Sequence, residues 1–288
     1  MKVSGFTFIK NAILYDYPIV EAIRSILPIC DEVVVAVGKS EDDTRNLIAQ
    51  IDPKVRIIDT VWDESLREGG RVLAVETDKA FQAVSADSDW AFYIQGDEVI
   101  HEKYLDEVYQ NMDKWKDHPK VEGLLFNYLH FYGSYDYVGS SLKWYSHEIR
   151  VVRNNESIYS FRDAQGFKIG NNRRLRVKPL DAYMYHYGWV KDPRAMQRKQ
   201  ENFQKHWHDD QWIDQNVVKA SEYDYSNIDA LKPFESSHPS VMKERLKRMN
   251  WQFDFDMSKN KSTPKEKMKL FLKNKLGIET GYKNYRVI

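Results

Sequence analysis

The chain has 288 residues, 42% hydrophobic and 14% aromatic, enough to bury one large core or a core with an appended lobe. Lys plus Arg and Asp plus Glu number 43 each, so the overall charge gives no reason to invoke nucleic acid or an acidic polymer as partner. The single cysteine, Cys30, excludes a disulfide framework within one chain; the opening residues lack a long apolar signal region and no run approaches the ~20 apolar residues of a membrane span, so a cytoplasmic protein is expected.

In chain order, Val3 to Ile9 reads as a strand, and Pro18 opens a helix whose Ile19, Ala22, Ile23, Ile26 and Leu27 share one face. Asp31 and Glu32 introduce Val33-Val34-Val35-Ala36-Val37, the continuous apolar run of a strand buried on both faces, which Gly38 ends. A short helix from about Asp42 to Ile51, a strand at Val55 to Ile58 and a helix from about Gly70 to Val84 lead to Trp90-Ala91-Phe92-Tyr93-Ile94, a strand that stops at Gln95-Gly96-Asp97-Glu98. This alternation predicts right-handed crossovers, a mostly parallel sheet and helices on both faces. Ligands then belong at the carboxyl ends of the strands, near Lys10-Asn11, Gly38-Lys39-Ser40, Asp59-Thr60 and Asp97-Glu98.

Beyond a helix near Tyr104 to Trp115, the pattern changes. Gly123 to Tyr132 and Glu148 to Val152 read as strands, an irregular segment runs to Arg176, and Tyr183 to Trp189 is strongly aromatic. Eight aromatic residues lie between Phe126 and Tyr145; of these Tyr135, Tyr137, Trp144 and Tyr145 stand among Gly and Ser, where exposed rings could stack on a sugar. Helices are expected over Arg194 to Trp207 and Ser240 to Trp251, and a cationic amphipathic helix from about Pro264. The expected organisation is 1–118 and 119–192 as two halves of one domain, with a helical extension over 193–288.

The ordered set Phe8-Ile9-Lys10-Asn11, Asp31-Glu32-Val33-Val34-Val35, Ser40-Glu41-Asp42-Asp43-Thr44 and Gln95-Gly96-Asp97-Glu98 resembles family 2 glycosyltransferases of the GT-A fold, a Rossmann-like α/β architecture. The likeness is closest over roughly the first hundred residues. It implies a hexosyltransferase-type enzyme of polysaccharide biosynthesis that uses a nucleotide-sugar donor and a saccharide or lipid-linked glycan acceptor, with inversion and with Mn2+ or Mg2+. It also implies donor contacts at Phe8, Lys10, Asn11, Gly38, Ser40, Gln95 and Gly96, and a metal at Asp97, with His186 of the Tyr185-His186-Tyr187 run reaching the metal or the diphosphate. Three positions depart from the family pattern: Val37 stands where an Asp usually contacts the nucleotide, Gln95 replaces the first Asp of the metal motif, and Thr77-Asp78 replaces an Arg-Asn pair.

An inverting transfer needs a carboxylate to take the acceptor's hydroxyl proton. The candidates are Asp163, in a polar loop after the aromatic segment, and Glu148, which begins a strand and could instead pair with Arg150 or Arg153. Two alternatives stay open: a degenerate member that only binds glycans or nucleotides, and a nucleotidyltransferase, which would be expected to carry a Gly-rich basic loop in place of Lys10-Asn11-Ala12. The segment Lys259 to Lys275 carries seven lysines and one glutamate around Met268, Leu270, Phe271 and Leu272, a pattern shared with peripheral anchors at the anionic inner face of a membrane.

Overall fold

A computed structural model describes residues 1–217, 219–261, 263–276 and 283–288. Strands β1 (Val3–Ile9), β2 (Glu32–Gly38), β3 (Val55–Thr60) and β4 (Trp90–Tyr93) lie in the order β3-β2-β1-β4, every neighbouring pair parallel. Strand alternation divides their side chains between two cores. Val33, Val35, Trp90 and Phe92 pack with helix α1 (Ile19–Ile26), with Ile48 of α2 (Thr44–Ala49), and with Val108 and Met112 of α4 (Leu105–Trp115). Phe6, Val34, Ala36, Ala91 and Tyr93 pack on the other face with Val72, Leu73, Ala80 and Phe81 of α3 (Arg71–Gln82). The fold is therefore an α/β sheet with helices on both faces, as the alternating pattern predicts.

The second half completes the same sheet. After the short β5 (Glu98–Ile100), β6 (Gly123–Tyr132) leads through β7 (Tyr137–Gly139) to β8 (His147–Arg153), which inserts antiparallel between β4 and β6. The β9 (Ile158–Phe161) and β10 (Gly166–Ile169) hairpin follows, then β11 (Arg173–Trp189), parallel to β6 and antiparallel to β5. The path is β3-β2-β1-β4-β8-β6-β11-β10-β9, with β8 the one reversed strand between β3 and β11.

Several elements differ from the sequence reading. The stretch read as irregular up to Arg176 holds the β9–β10 hairpin and the start of β11, whose 17 residues include two register shifts against β6. The C-terminal segment has α5 (Pro193–Phe203), α6 (Asp210–Asn216), α7 (Lys243–Lys247) and α8 (Pro264–Leu276), but it also sends β12 (Leu231–Pro233) to β7 and β13 (Tyr285–Val287) to β11. The helix expected over Ser240 to Trp251 is one 3-10 turn followed by the short α7. Cys30 is a buried hydrophobe whose thiol burial pushes up, so it is no nucleophile at neutral pH. No helix among the described residues is long and apolar enough to cross a membrane.

Candidate active site

The carboxyl ends of β1 and β4 open into a cavity of about 760 Å3 whose lining combines the turn after β1, the loop after β3, the turn after β4, the turn after β9, the end of β11 and one side of α5. Phe8, Lys10, Asn11, Gln95, Gly96, Asp97, Asp163 and His186 all line it. Gly38, Ser40 and Glu148 do not. Trp62 lies so close over Gly38 that a Cβ there would collide with its Nε1, so the glycine is needed for the approach of an indole that itself lines the cavity.

Ser40 has an architectural place. Its Oγ accepts from the Asn11 amide at 3.0 Å and donates to the Gly38 carbonyl at 2.9 Å. Asn11 sits in the left-handed region at φ 53, a conformation Asn tolerates, and its Oδ1 accepts from the Glu41 amide at 2.8 Å. Thr44 Oγ1 accepts from Ala12 N, and Asp42 accepts from Leu14 N, each at 2.7 Å. The motif Ser40-Glu41-Asp42-Asp43-Thr44 thus clamps the turn that presents Lys10 and Asn11. Two of the three departures from the family pattern face the protein. Val37 is core, and Thr77 and Asp78 bond the Leu73 carbonyl and the Ser160 amide.

Asp97 and Glu98 separate completely. Glu98 is fully buried and accepts Arg150 Nη2 and Tyr128 Oη on one oxygen and Arg150 Nε on the other, all at 2.7 Å, with the Gln95 amide at 3.1 Å. Arg150 therefore belongs to Glu98, and the pairing with Glu148 that stood as one alternative does not form. The Asp97 side chain keeps 13% exposure toward the cavity. Its Oδ2 meets Lys199 Nζ of α5 at 3.2 Å, and its Oδ1 lies 3.7 Å from His186 Nε2. Burial would push this carboxyl up, but nearby positive charge, that of Lys199 foremost, outweighs it and holds the group at about 2.

The protons on His186 follow from its neighbours. His130 Nε2 lies 2.8 Å from the Tyr145 carbonyl and must carry a proton, because a carbonyl only accepts. Burial holds His130 down at about 3, so its Nδ1 is bare and accepts from His186 Nδ1, 3.1 Å away. Burial lowers His186 as well, and the neutral ring then turns the Nε2 lone pair toward Asp97. An ionised carboxylate and an imidazole lone pair on one wall fit a Mn2+ or Mg2+ ion that takes its remaining ligands from water and substrate phosphates. Among the described residues there is no group of three or more His, Cys, Asp or Glu side chains that could hold an ion. Gln95, in place of the first Asp of the metal motif, brings no charge to the pair, and its Nε2 donates to the Ala164 carbonyl at 3.1 Å.

That bond ties the turn carrying Asp97 to the turn carrying Asp163. Arg162 and Ala164 flank Asp163 with φ of 58 and 63, and Gly70, at φ 70, lets α3 approach so closely that a Cβ there would fall 2.8 Å from the Asp163 Cβ. Burial raises the half-buried Asp163 carboxyl above the usual range. Glu148 lies away from the cavity, holds Asn284 Nδ2 at 2.8 Å, and is pushed by burial to about 7.

No family model and no curated protein sequence matches the chain. Its fold is similar to the crystal structure of S. aureus TarS 1–349 in complex with UDP, at 13% identity over 77% of this chain and 68% of that one, with a TM-score of 0.43. It is also similar to 4-diphosphocytidyl-2C-methyl-D-erythritol synthase from Anaerococcus prevotii, at 13% identity over 66% and 89% of the two chains and a TM-score of 0.37. A third likeness is to glucosyl-3-phosphoglycerate synthase from Mycobacterium tuberculosis, solved with Mn2+, UDP and phosphoglyceric acid, at 18% identity over 45% and 43% and a TM-score of 0.30.

Sequence reasoning missed Trp62, Arg67 and Lys199, which line the same cavity. Trp62 is two residues past the flagged end of β3, and an extra step along that loop would have found it. Lys199 gave no signal, because it lies inside a helix assigned to the extension. Of the aromatic residues expected to be exposed, Tyr145 lines the cavity, whereas Tyr135 is buried against Tyr187 and Trp144 stacks on His130.

Proposed function

We propose that the chain is a glycosyltransferase that moves a sugar, with inversion, from a nucleotide diphosphate donor to a hydroxyl of a saccharide or glycolipid acceptor. The observation that carries this reading is one cavity with two carboxylates of opposite character: Asp97, held ionised beside Lys199, and Asp163, whose carboxyl burial raises above the usual range.

Phe8 and Trp62 give the donor an aromatic wall, with Lys10 Nζ 5.6 Å from the Trp62 ring centroid. Asp163 takes the acceptor's proton as the hydroxyl oxygen bonds to the anomeric carbon, the bond from that carbon to the phosphate oxygen breaks, and the nucleoside diphosphate leaves with the bonding electrons. Held by Asp97 and His186, Mn2+ or Mg2+ would act as a Lewis acid on the diphosphate charge. Gln95 ties the base-bearing turn to the Asp97 turn, and Gly70 lets α3 pack against that base-bearing turn.

A panel of nucleotide-sugars with Mn2+ tests the reading. The full chain should release nucleoside diphosphate from at least one of them, and Asp97→Asn should lower that rate by tenfold or more. Binding of a nucleoside diphosphate with no release under any acceptor would leave a binding protein. Pyrophosphate released from a nucleoside triphosphate would make it a nucleotidyltransferase.

A further inference from the structure

Asp97 cannot be left without a counter-charge, because a carboxylate this enclosed is costly unless paired. Its partner in the structure is Lys199, whose side chain is only 10% exposed. The ammonium also donates to the Gly188 carbonyl at 3.0 Å and lies 4.9 Å from the Tyr17 ring centroid. Gly188 is itself confined, since a Cβ there would fall 2.8 Å from Asp97 Oδ2 and 2.7 Å from the His186 ring. The same carboxylate is half of the pair that fits a divalent ion. An ammonium and a dication on one carboxylate repel each other strongly at this depth. Lys199 nevertheless has somewhere to go, because it lines the cavity on a flexible four-carbon stem.

We propose that Lys199 is a travelling counter-cation, which neutralises Asp97 in the empty site and passes to the donor's diphosphate once Asp97 engages a divalent ion. A diphosphate carries more negative charge than one dication cancels, so the released ammonium finds a partner there. Lys199 then belongs to the leaving-group side of the reaction, where a point charge on a phosphate is an established use of lysine. Lys191 stays behind, its Nζ on the Asp16 carbonyl at 2.6 Å and 4.6 Å from the Tyr17 centroid. The proposal rests on the glycosyltransferase reading for the identity of the diphosphate; the competition between Lys199 and the ion for Asp97 does not.

The test is Lys199→Met in the full chain, with Mn2+ alone followed by the paramagnetic signal of the free ion, and with UDP and GDP in the presence of Mn2+. The two affinities should move in opposite directions. Mn2+ alone should bind the variant at least tenfold more tightly and raise its Tm by more than it raises the parent's, while UDP or GDP with Mn2+ should bind at least tenfold more weakly. Lys199→Gln, which can keep the hydrogen bond to the Gly188 carbonyl without the charge, should follow Met in both and carries the test if Met fails to fold. Affinities that fall together, or a Mn2+ affinity that does not change, would overturn the counter-cation. A parent that binds neither nucleotide would instead overturn the glycosyltransferase reading, and the diphosphate half of this proposal with it.

Discussion

The wall around Asp97 and the region behind it around Glu98 are built from adjacent residues and treat negative charge in opposite ways. Glu98 lies on β5, where pairing with β11 turns it inward, and it meets a guanidinium with two bonds, a phenol and a backbone amide. Asp97 stays in the turn, facing the cavity with an ammonium on one oxygen and an imidazole 3.7 Å from the other. A fork of fixed donors makes a charge permanent, whereas a point charge on a long stem leaves it available. The difference between a structural carboxylate and a reactive one lies in the partner.

The strongest way to break the contrast is Glu98→Gln. Arg150 would stay fully buried without its carboxylate, so urea unfolding should show a loss of ~3–5 kcal/mol, the usual cost of removing one partner of a buried pair. A loss within experimental error would mean that Arg150 finds other acceptors. Asp163→Asn sharpens the other side: turnover should fall by roughly a hundredfold while nucleoside diphosphate affinity holds. Because burial raises Asp163, the parent's rate should climb with pH through a midpoint above the usual carboxylate range as the base loses its proton, and the variant should lack that limb. Unchanged activity would remove Asp163 from the role of base.

Glu148 gives a smaller effect of defined sign. It titrates near 7 when folded against 4.5 when free, so the unfolded chain sheds its proton first as pH rises. Stability should fall between about pH 4.5 and 7 and level off above, and Glu148→Gln should flatten that decline in a Tm series. An identical pH dependence in parent and variant would assign the decline to other groups. The weakest effect concerns α8, where Met268 and Phe271 are exposed. If its lysines each gain ~1 kcal/mol at an anionic surface, the full chain should sediment with anionic vesicles at low salt and be released by high salt. A chain that stays in the supernatant leaves α8 a solvated helix.

Much of this was legible beforehand, and for identifiable reasons. Runs such as Val33 to Val37 admit only a strand buried on both faces, and a strand ending in Gly96-Asp97 at a sheet's carboxyl edge marks a site. The partner of Arg150 was not legible, because β alternation places it on the same face as Glu148, while its actual partner comes from β5, 52 residues earlier. The length of β11 was hidden because Arg173, Arg174 and Arg176 are charged, the partners of this stretch being β10, β13 and Glu122. Lys199 was invisible for the opposite reason: nothing in a helix of mixed charge says which residue meets an aspartate 102 positions away.

The place of β8 has a consequence for how the chain folds as it is made. β4 is finished at Tyr93, but its neighbour on the far side is not synthesised until His147 to Arg153. Through that interval the nascent sheet has an apolar strand with an unpaired edge in what will become its centre, the arrangement that invites pairing with another chain. Residues 1–118 alone would keep that edge, so the fragment should associate with itself instead of behaving as a small nucleotide-binding unit.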